Sequence, residues 1–199
     1  MNPYYERLYN FLKKKVSISE EEVEYMMSFA KIIKLRNKEY FFKEGDITRY
    51  VGFVNKGVLR YFFLDNQAEE HIIYFAQEEW WVGDLNSFYS KTPTPNNLQA
   101  LEATEIFAFT GENFDRIRNE VIPFEEFRKA SHAKATAARI DNMMSLRSES
   151  AEERYLKLLK SFPDIFQRVP QYFIASYLGI KPQSLSRIRK LLAEKNLKL

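Results

Sequence analysis

Turn-forming residues cut the stretch from about Leu35 to Thr110 into short runs, and no other feature of the chain constrains its fold as tightly. Gly45-Asp46, Asn55-Lys56-Gly57, Asp65-Asn66 and Gly83-Asp84 are the cuts, at intervals of roughly ten residues. Between them lie "KEYFFKEGD", "YVGFVNKGVLRYFFLDNQ", "EEHIIYFAQEEWWVGD" and "LQALEATEIFAFTGEN", rich in Tyr, Phe, Val and Ile. Such spacing specifies short antiparallel strands in a barrel or roll. The segment "YSKTPTPNN" carries two prolines and reads as a loop.

Helical periods flank this region. Tyr4, Tyr5, Leu8, Phe11 and Leu12 repeat at helical spacing, and Ser19 with Glu22 forms a capping box ahead of a second helix in "SISEEEVEYMMSFAKIIKL". After Gly111, "ENFDRIRNEV" reads as one short helix, and Pro123 opens a long one to about Arg147. Phe127, Ala130, Ala133, Ala137, Ile140 and Met144 form a stripe along it, small in the middle. Small residues admit a second helix at close range. Some 25 residues give about 37 Å of helix, longer than a cover for the roll requires. The stripe therefore reads as a dimer seam, with packing onto the chain's own core as the plainer alternative.

The end of the chain carries the most specific pattern. "PQYFIASYLGI" reads as a helix stopped at Gly179, with Phe173, Ile174, Tyr177 and Leu178 buried. Lys181-Pro182 restarts the chain, and "PQSLSRIRKLLAEKN" places Leu185, Ile188, Leu191 and Leu192 inward. Lys181, Gln183, Ser184, Ser186, Arg187, Arg189 and Lys190 make a polar, basic outer face. Helix, glycine turn, helix is a helix-turn-helix. Arg and Gln suit bidentate contacts to guanine and adenine, while Ser and Lys suit phosphates. Charge agrees: residues 169–199 hold six basic groups against Glu194, so the formal total of +3 leaves −2 for residues 1–168. A solvated basic tail is the plain reading of that asymmetry; double-stranded DNA is the pointed one.

Several chemistries are excluded. Without cysteine there are no disulfides, thiolate-held clusters or Cys-based zinc sites. His71 and His132 stand apart, so no clustered metal site is expected, nor a cofactor. No nucleophile triad or phosphate loop appears, so an enzyme is not expected. The N-terminus lacks the apolar core of a signal peptide, and no run of apolar residues is long enough to span a membrane. A cytoplasmic location is the expectation.

The phrases "FFKEGD…YVGFVNKGVLRYFF", "AEERYLKLLKSFPDIFQRVPQYFIASYLGI" and "SLSRIRK" together resemble the Crp/Fnr superfamily of bacterial transcription regulators. The resemblance implies an α+β fold: a cyclic-nucleotide-binding-like double-stranded β-roll sensor over residues 1–120, a dimerisation helix over 121–148, and an all-α helix-turn-helix domain over 149–199. It implies a homodimer on double-stranded DNA, with RNA polymerase and an unidentified small-molecule effector as further partners. Base-reading positions of the family fall on Pro182, Gln183 and Arg187. The Gly-Glu pair that holds the ribose in cyclic-AMP-binding members falls on Gly83-Asp84. The Arg-Ser pair that clamps the phosphate falls near Thr94-Pro95, and no Arg occurs between Arg60 and Arg116. Cyclic AMP is therefore not expected to bind in the usual way. Gly83, Asp84, Thr94, Asn96 and Asn97 remain the candidate effector pocket, with Asp84 as a turn residue the plainer reading. Trp80 and Trp81 with Tyr74, Phe75 and Phe88 offer a second, apolar pocket, or simply the roll's core. A sensor acting through protein partners, its last helices an interaction module, is the alternative function.

Overall fold

The computed structural model describes residues 2–196. A short 3-10 turn, Pro3–Tyr5, leads into α1 (Glu6–Lys13) and α2 (Glu20–Ser28). The capping box forms: Ser19 accepts from the Glu22 backbone N–H while the Glu22 carboxylate accepts from the Ser19 N–H. The second helix stops at Ser28, earlier than its sequence suggests. "KIIKL" is instead strand β1 (Lys31–Leu35), where β-branched residues pair along the last strand of the roll.

Seven more strands follow: β2 (Tyr40–Phe42), β3 (Tyr50–Lys56), β4 (Leu59–Leu64), β5 (Glu70–Ala76), β6 (Trp81–Val82), β7 (Asn96–Ala100) and β8 (Thr104–Thr110). They form two four-stranded antiparallel sheets, ordered β1-β8-β3-β6 and β2-β7-β4-β5. The turn residues fix this register. Gly57 takes φ +102°, and a Cβ there would stand 2.4 Å from Thr104 Oγ1, so the β3–β4 turn admits glycine alone. The prolines of "YSKTPTPNN" do mark a loop, but a narrower one. Helix α3 (Leu85–Ser90) runs into it and β7 leaves it at Asn96.

Strand alternation distributes the side chains into three layers. Val54, Leu59, Val82, Leu98, Ile106 and Ala108 fill the space between the sheets. Phe53, Phe107 and Phe109 point the other way, onto α1, α2, α4 (Gly111–Glu120) and the start of α5 (Ile122–Ser148). The outer face of the second sheet, through Val58, Phe62, Ile72 and Phe75, meets the C-terminal helices.

Those helices are α6 (Ala151–Ser161), α7 (Ile165–Arg168), α8 (Gln171–Tyr177) and α9 (Pro182–Asn196). A second capping box, Ser150 with Glu153, opens α6. Tyr155, Leu158, Val169, Phe173, Ile174, Leu185 and Ile188 share one apolar cluster with the roll's outer face. Polar contacts reinforce the joint. Arg168 forms a two-pronged pair with Glu78 (2.8 and 2.9 Å) and reaches Glu102 at 2.5 Å. Ser176 Oγ donates to the Glu70 carbonyl at 2.9 Å and accepts from the Ile72 N–H at 3.3 Å. Arg60, 4% exposed, lies between the rings of Phe62 and Phe173, each 3.9 Å from its guanidinium carbon. It pairs with the Glu70 carboxylate and donates to Gln99 Oε1 at 2.8 Å.

Candidate nucleic-acid interface and sensor cavity

At the C-terminal end, Gly179 takes φ +65° and closes α8, a conformation that costs other residues a strained Cβ. Its turn sets α9 on α8. Leu185 is fully buried and Ile188 nearly so. Those two anchors decide which face of α9 looks outward, because residues three and four apart share a face. Lys181, Gln183, Ser186, Arg187 and Lys190 are exposed. Ser184 and Arg189 are only half exposed, and Arg189 lies over the Phe166 ring at 5.3 Å, so it is drawn partly toward the helical core. The Ser186 hydroxyl donates to the Pro182 carbonyl at 3.2 Å. Leu191 does not turn inward as its spacing suggests; it is 45% exposed, while its neighbour Leu192 packs against the helical cluster.

At the roll, the candidate effector residues separate into two groups. Asp84 is 7% exposed and gathers five donors. Thr94 Oγ1 donates at 2.5 Å, Asn96 Nδ2 at 3.1 Å and the Tyr61 hydroxyl at 3.3 Å. The Asn86 and Ser87 N–H groups at the start of α3 complete the set at 3.1 and 3.2 Å. Burial pushes the Asp84 carboxyl up, but these hydrogen bonds outweigh it and hold the pKa below the ordinary aspartate value. Gly83 supplies the turn into α3, with φ +152°. Asn97 is elsewhere: strand alternation turns it from Asn96, and its Oδ1 accepts from the Glu44 N–H at 3.1 Å while Nδ2 finds no partner among the described residues.

A cavity of about 280 Å³ lies between this part of the roll and α5. Tyr74, Trp80 and Trp81 line it, as the second pocket reading expects; Phe75 and Phe88 do not, since Phe75 faces the C-terminal helices and Phe88 packs under α4. The sequence reading missed the α5 wall, Arg128 to Arg139, because only the fold brings that face of the helix against the roll. Arg128 is committed: it pairs in two-pronged fashion with Glu125 at 2.6 and 2.8 Å. Hydrogen bonds from Arg128 and then Arg118 outweigh burial and hold the Glu125 carboxyl at about 2. His132 also lines the cavity, whereas His71 is far from it, 2.7 Å from Asp65 Oδ2 and stacked on Phe63. Asp65, Glu69 and His71 do gather at the β4–β5 turn, a grouping that sequence distance conceals, yet Asp65 is occupied by the Gln67 and Glu69 N–H groups.

The fold is a β-roll joined through a long helix to a glycine-punctuated helix pair. Residues 32–120 match the family described as cyclic nucleotide-binding domain. The transcriptional activator protein anr of Pseudomonas aeruginosa is 27% identical over 183 residues, covering 83% of this chain and 73% of that protein. In both comparisons the chain is similar to the Crp/Fnr superfamily of transcription regulators. Solved structures agree in fold. FixK2 from Bradyrhizobium japonicum superposes with a TM-score of 0.71 at 18% identity, over 84% of this chain and 86% of that one. A CooA mutant from Carboxydothermus hydrogenoformans gives 0.69 at 16% identity, over 98% and 86%. Among the described residues no helix is long and apolar enough to cross a membrane.

Proposed function

We propose that this chain is a dimeric, sequence-specific DNA-binding regulator that reads operators with α9. The observation that carries the reading is the outer face of α9, held in place by buried Leu185 and Ile188 and presenting Gln183, Arg187 and Lys190 to solvent. In a dimer two such helices address successive major grooves, about 34 Å apart. Dimerisation through α5 is supported by the exposure of its stripe: Ala130, Ala133 and Ala137 are exposed, Ile140 is 51% exposed and Met144 is 61% exposed. Phe127 leaves the stripe and packs into the roll's helical cover. Residues 1–120, 121–148 and 149–199 then act as sensor, dimer helix and reading head.

The sensor does not take cyclic AMP in the manner of the family's nucleotide-binding members. Thr94, at the place of the phosphate clamp, spends its hydroxyl on Asp84. An incoming phosphate would meet the Asp84 charge with no opposing guanidinium in that loop, a costly burial.

The test compares Arg187→Ala with Lys190→Ala on a duplex selected from a random pool and on a scrambled one, across several salt concentrations. Arg187 lies one turn beyond Gln183, where it reaches a base edge. Its loss should cost about 1–3 kcal/mol on the selected duplex and much less on the scrambled one. Lys190, a turn further toward the groove's rim, meets phosphate; its loss should weaken both duplexes alike and lower the salt slope by about one. Indifference of both variants on both duplexes would turn the reading toward the protein-partner alternative. On the same preparation, saturable calorimetric heat with cyclic AMP would overturn the sensor reading.

A further inference from the structure

Two extended residues, Glu149 and Ser150, join the end of α5 to the start of α6. So short a link leaves the angle between its helices to side-chain contacts, and Glu149 is held from both sides. Its N–H donates to the Ser145 carbonyl at 3.0 Å. Its carboxylate accepts from Ser145 Oγ at 2.7 Å and pairs with Lys157. Arg154, half-buried on α6, completes the joint. Its Nη1 donates to the Glu149 carbonyl, while Nε and Nη2 donate to the Leu178 carbonyl at 3.2 and 2.8 Å.

Leu178 caps α8 immediately before the Gly179 turn from which α9 departs. A guanidinium suits this place, being planar, always charged and able to hold two carbonyls in fixed directions. The last carbonyls of a helix also carry partial negative charge. The same turn abuts the end of α5, since a Cβ at Gly179 would stand 3.4 Å from Leu146 Cδ2. Ser176, two residues before Leu178, ties α8 to the roll. The Arg154 side chain thus bridges the hinge after the long helix and the turn that aims α9.

We propose that Arg154 is a positioning residue for operator recognition: its guanidinium sets the angle of α9 to the dimer helix, and so fixes the half-site spacing that the dimer accepts. The inference rests on the α5 seam and on DNA reading by α9; Arg154 itself needs no contact with DNA. Geometry makes spacing the sensitive quantity. One base pair added between two half-sites turns one of them by about 35° and moves it by about 3.4 Å. A rigid joint rejects that operator, whereas a loose joint follows it.

The chain has no cysteine, so Ala193→Cys, exposed on α9, supplies one nitroxide site per chain. Pulsed electron paramagnetic resonance on the labelled full chain without DNA should give one narrow interspin distance. Arg154→Gln should broaden it. Arg154→Lys keeps the charge without the fork; it should broaden the distance too, and serves if the Gln variant folds poorly. Lys157→Gln, which removes only the neighbouring ion pair, should leave the width unchanged. On DNA, one base pair inserted between the half-sites of the selected duplex should weaken the parent chain about tenfold or more, and the Arg154 variants less than about threefold. Their discrimination of the base pair read by Arg187 should stay at the parent level. A parent distribution that is broad or absent would overturn the proposal, as would an unchanged width in a folded Arg154 variant. Equal losses by that variant at both spacings would do the same. Arg154-dependent broadening in a chain that binds no duplex would keep Arg154 as the residue that positions α9 and refute DNA reading instead.

Discussion

Asp84 combines two functions that compete for one carboxylate. It caps α3 through two backbone N–H groups, and it fastens the loop after α3 through Thr94 and Asn96. The net fall of its pKa has a definite sign for stability: a carboxyl depressed in the folded state stabilises above its ordinary pKa, near 3.8, and loses that contribution as pH falls through the depressed value. Asp84→Asn keeps one acceptor but turns an amide toward the Asn96 donor. It should cost about 1–3 kcal/mol at neutral pH. The deficit should shrink as pH falls below about 3.8, where the carboxyl of the unfolded chain takes up its proton before that of the folded one. Urea melts of both proteins at neutral and acid pH measure this. A deficit that stayed constant with pH would show that Asp84 acts there by shape alone.

Helix α5 presents two faces with different neighbours. At 3.6 residues per turn, Arg128, Ser131, Ala135 and Arg139 fall on one side, Ala130, Ala133, Ala137 and Ile140 nearly opposite. The first side lines the cavity, with Arg128 and Ser131 half-buried and Ala135 and Arg139 exposed. The second is bare in the single chain. A Glu at 137 is harmless to the chain by itself, being exposed, but would be desolvated in the proposed seam. Ala137→Glu should therefore leave the melting temperature of the dissociated chain unchanged. It should weaken the dimer by on the order of 3 kcal/mol, more than about a hundredfold in dissociation constant. Sedimentation equilibrium reads this directly, and an Ala137→Glu chain that remained dimeric at wild-type concentrations would move the seam elsewhere. Sequence spacing shows the small-residue stripe because it is periodic within one helix. It also predicts the capping box at Ser19 and the stop at Gly179, whose causes lie within a few residues. It misplaces Phe127 and Leu191, since periodicity names a face without saying which neighbour covers each position. "KIIKL" is misread for the same reason: an apolar run beside a helix looks like its continuation until β8 supplies a partner.

For the whole molecule, the boundary near residue 149 is a boundary in sequence more than in packing. Phe62 and Phe75 of the roll share a cluster with Phe173 and Ile174 of the last helices. Neither surface could be read from the sequence, because the residues that meet there are far apart in the chain and on different kinds of element. The shared cluster predicts one cooperative unfolding transition, with tryptophan fluorescence from the roll coinciding with loss of helical circular dichroism. Phe173→Ala should lower stability by about 3–5 kcal/mol and shift both signals together. Earlier melting of the helical signal alone would mean that the two parts are energetically separate.

The chemistry of that joint has a consequence for what the molecule can sense there. Arg60 and Arg168 carry guanidinium groups, which stay protonated throughout the physiological range. Their acidic partners are Glu70, Glu78 and Glu102. Burial pushes the Glu78 carboxyl up, but the hydrogen bonds from Arg168 and the Gly57 N–H overcome it and leave the pKa lowered. No histidine takes part in these contacts. The Arg168–Glu78 pair between the roll and the last helices therefore keeps both charges through mild acidification. Ionic strength, which screens Arg168 from its two carboxylates, is the solution variable that can tune it.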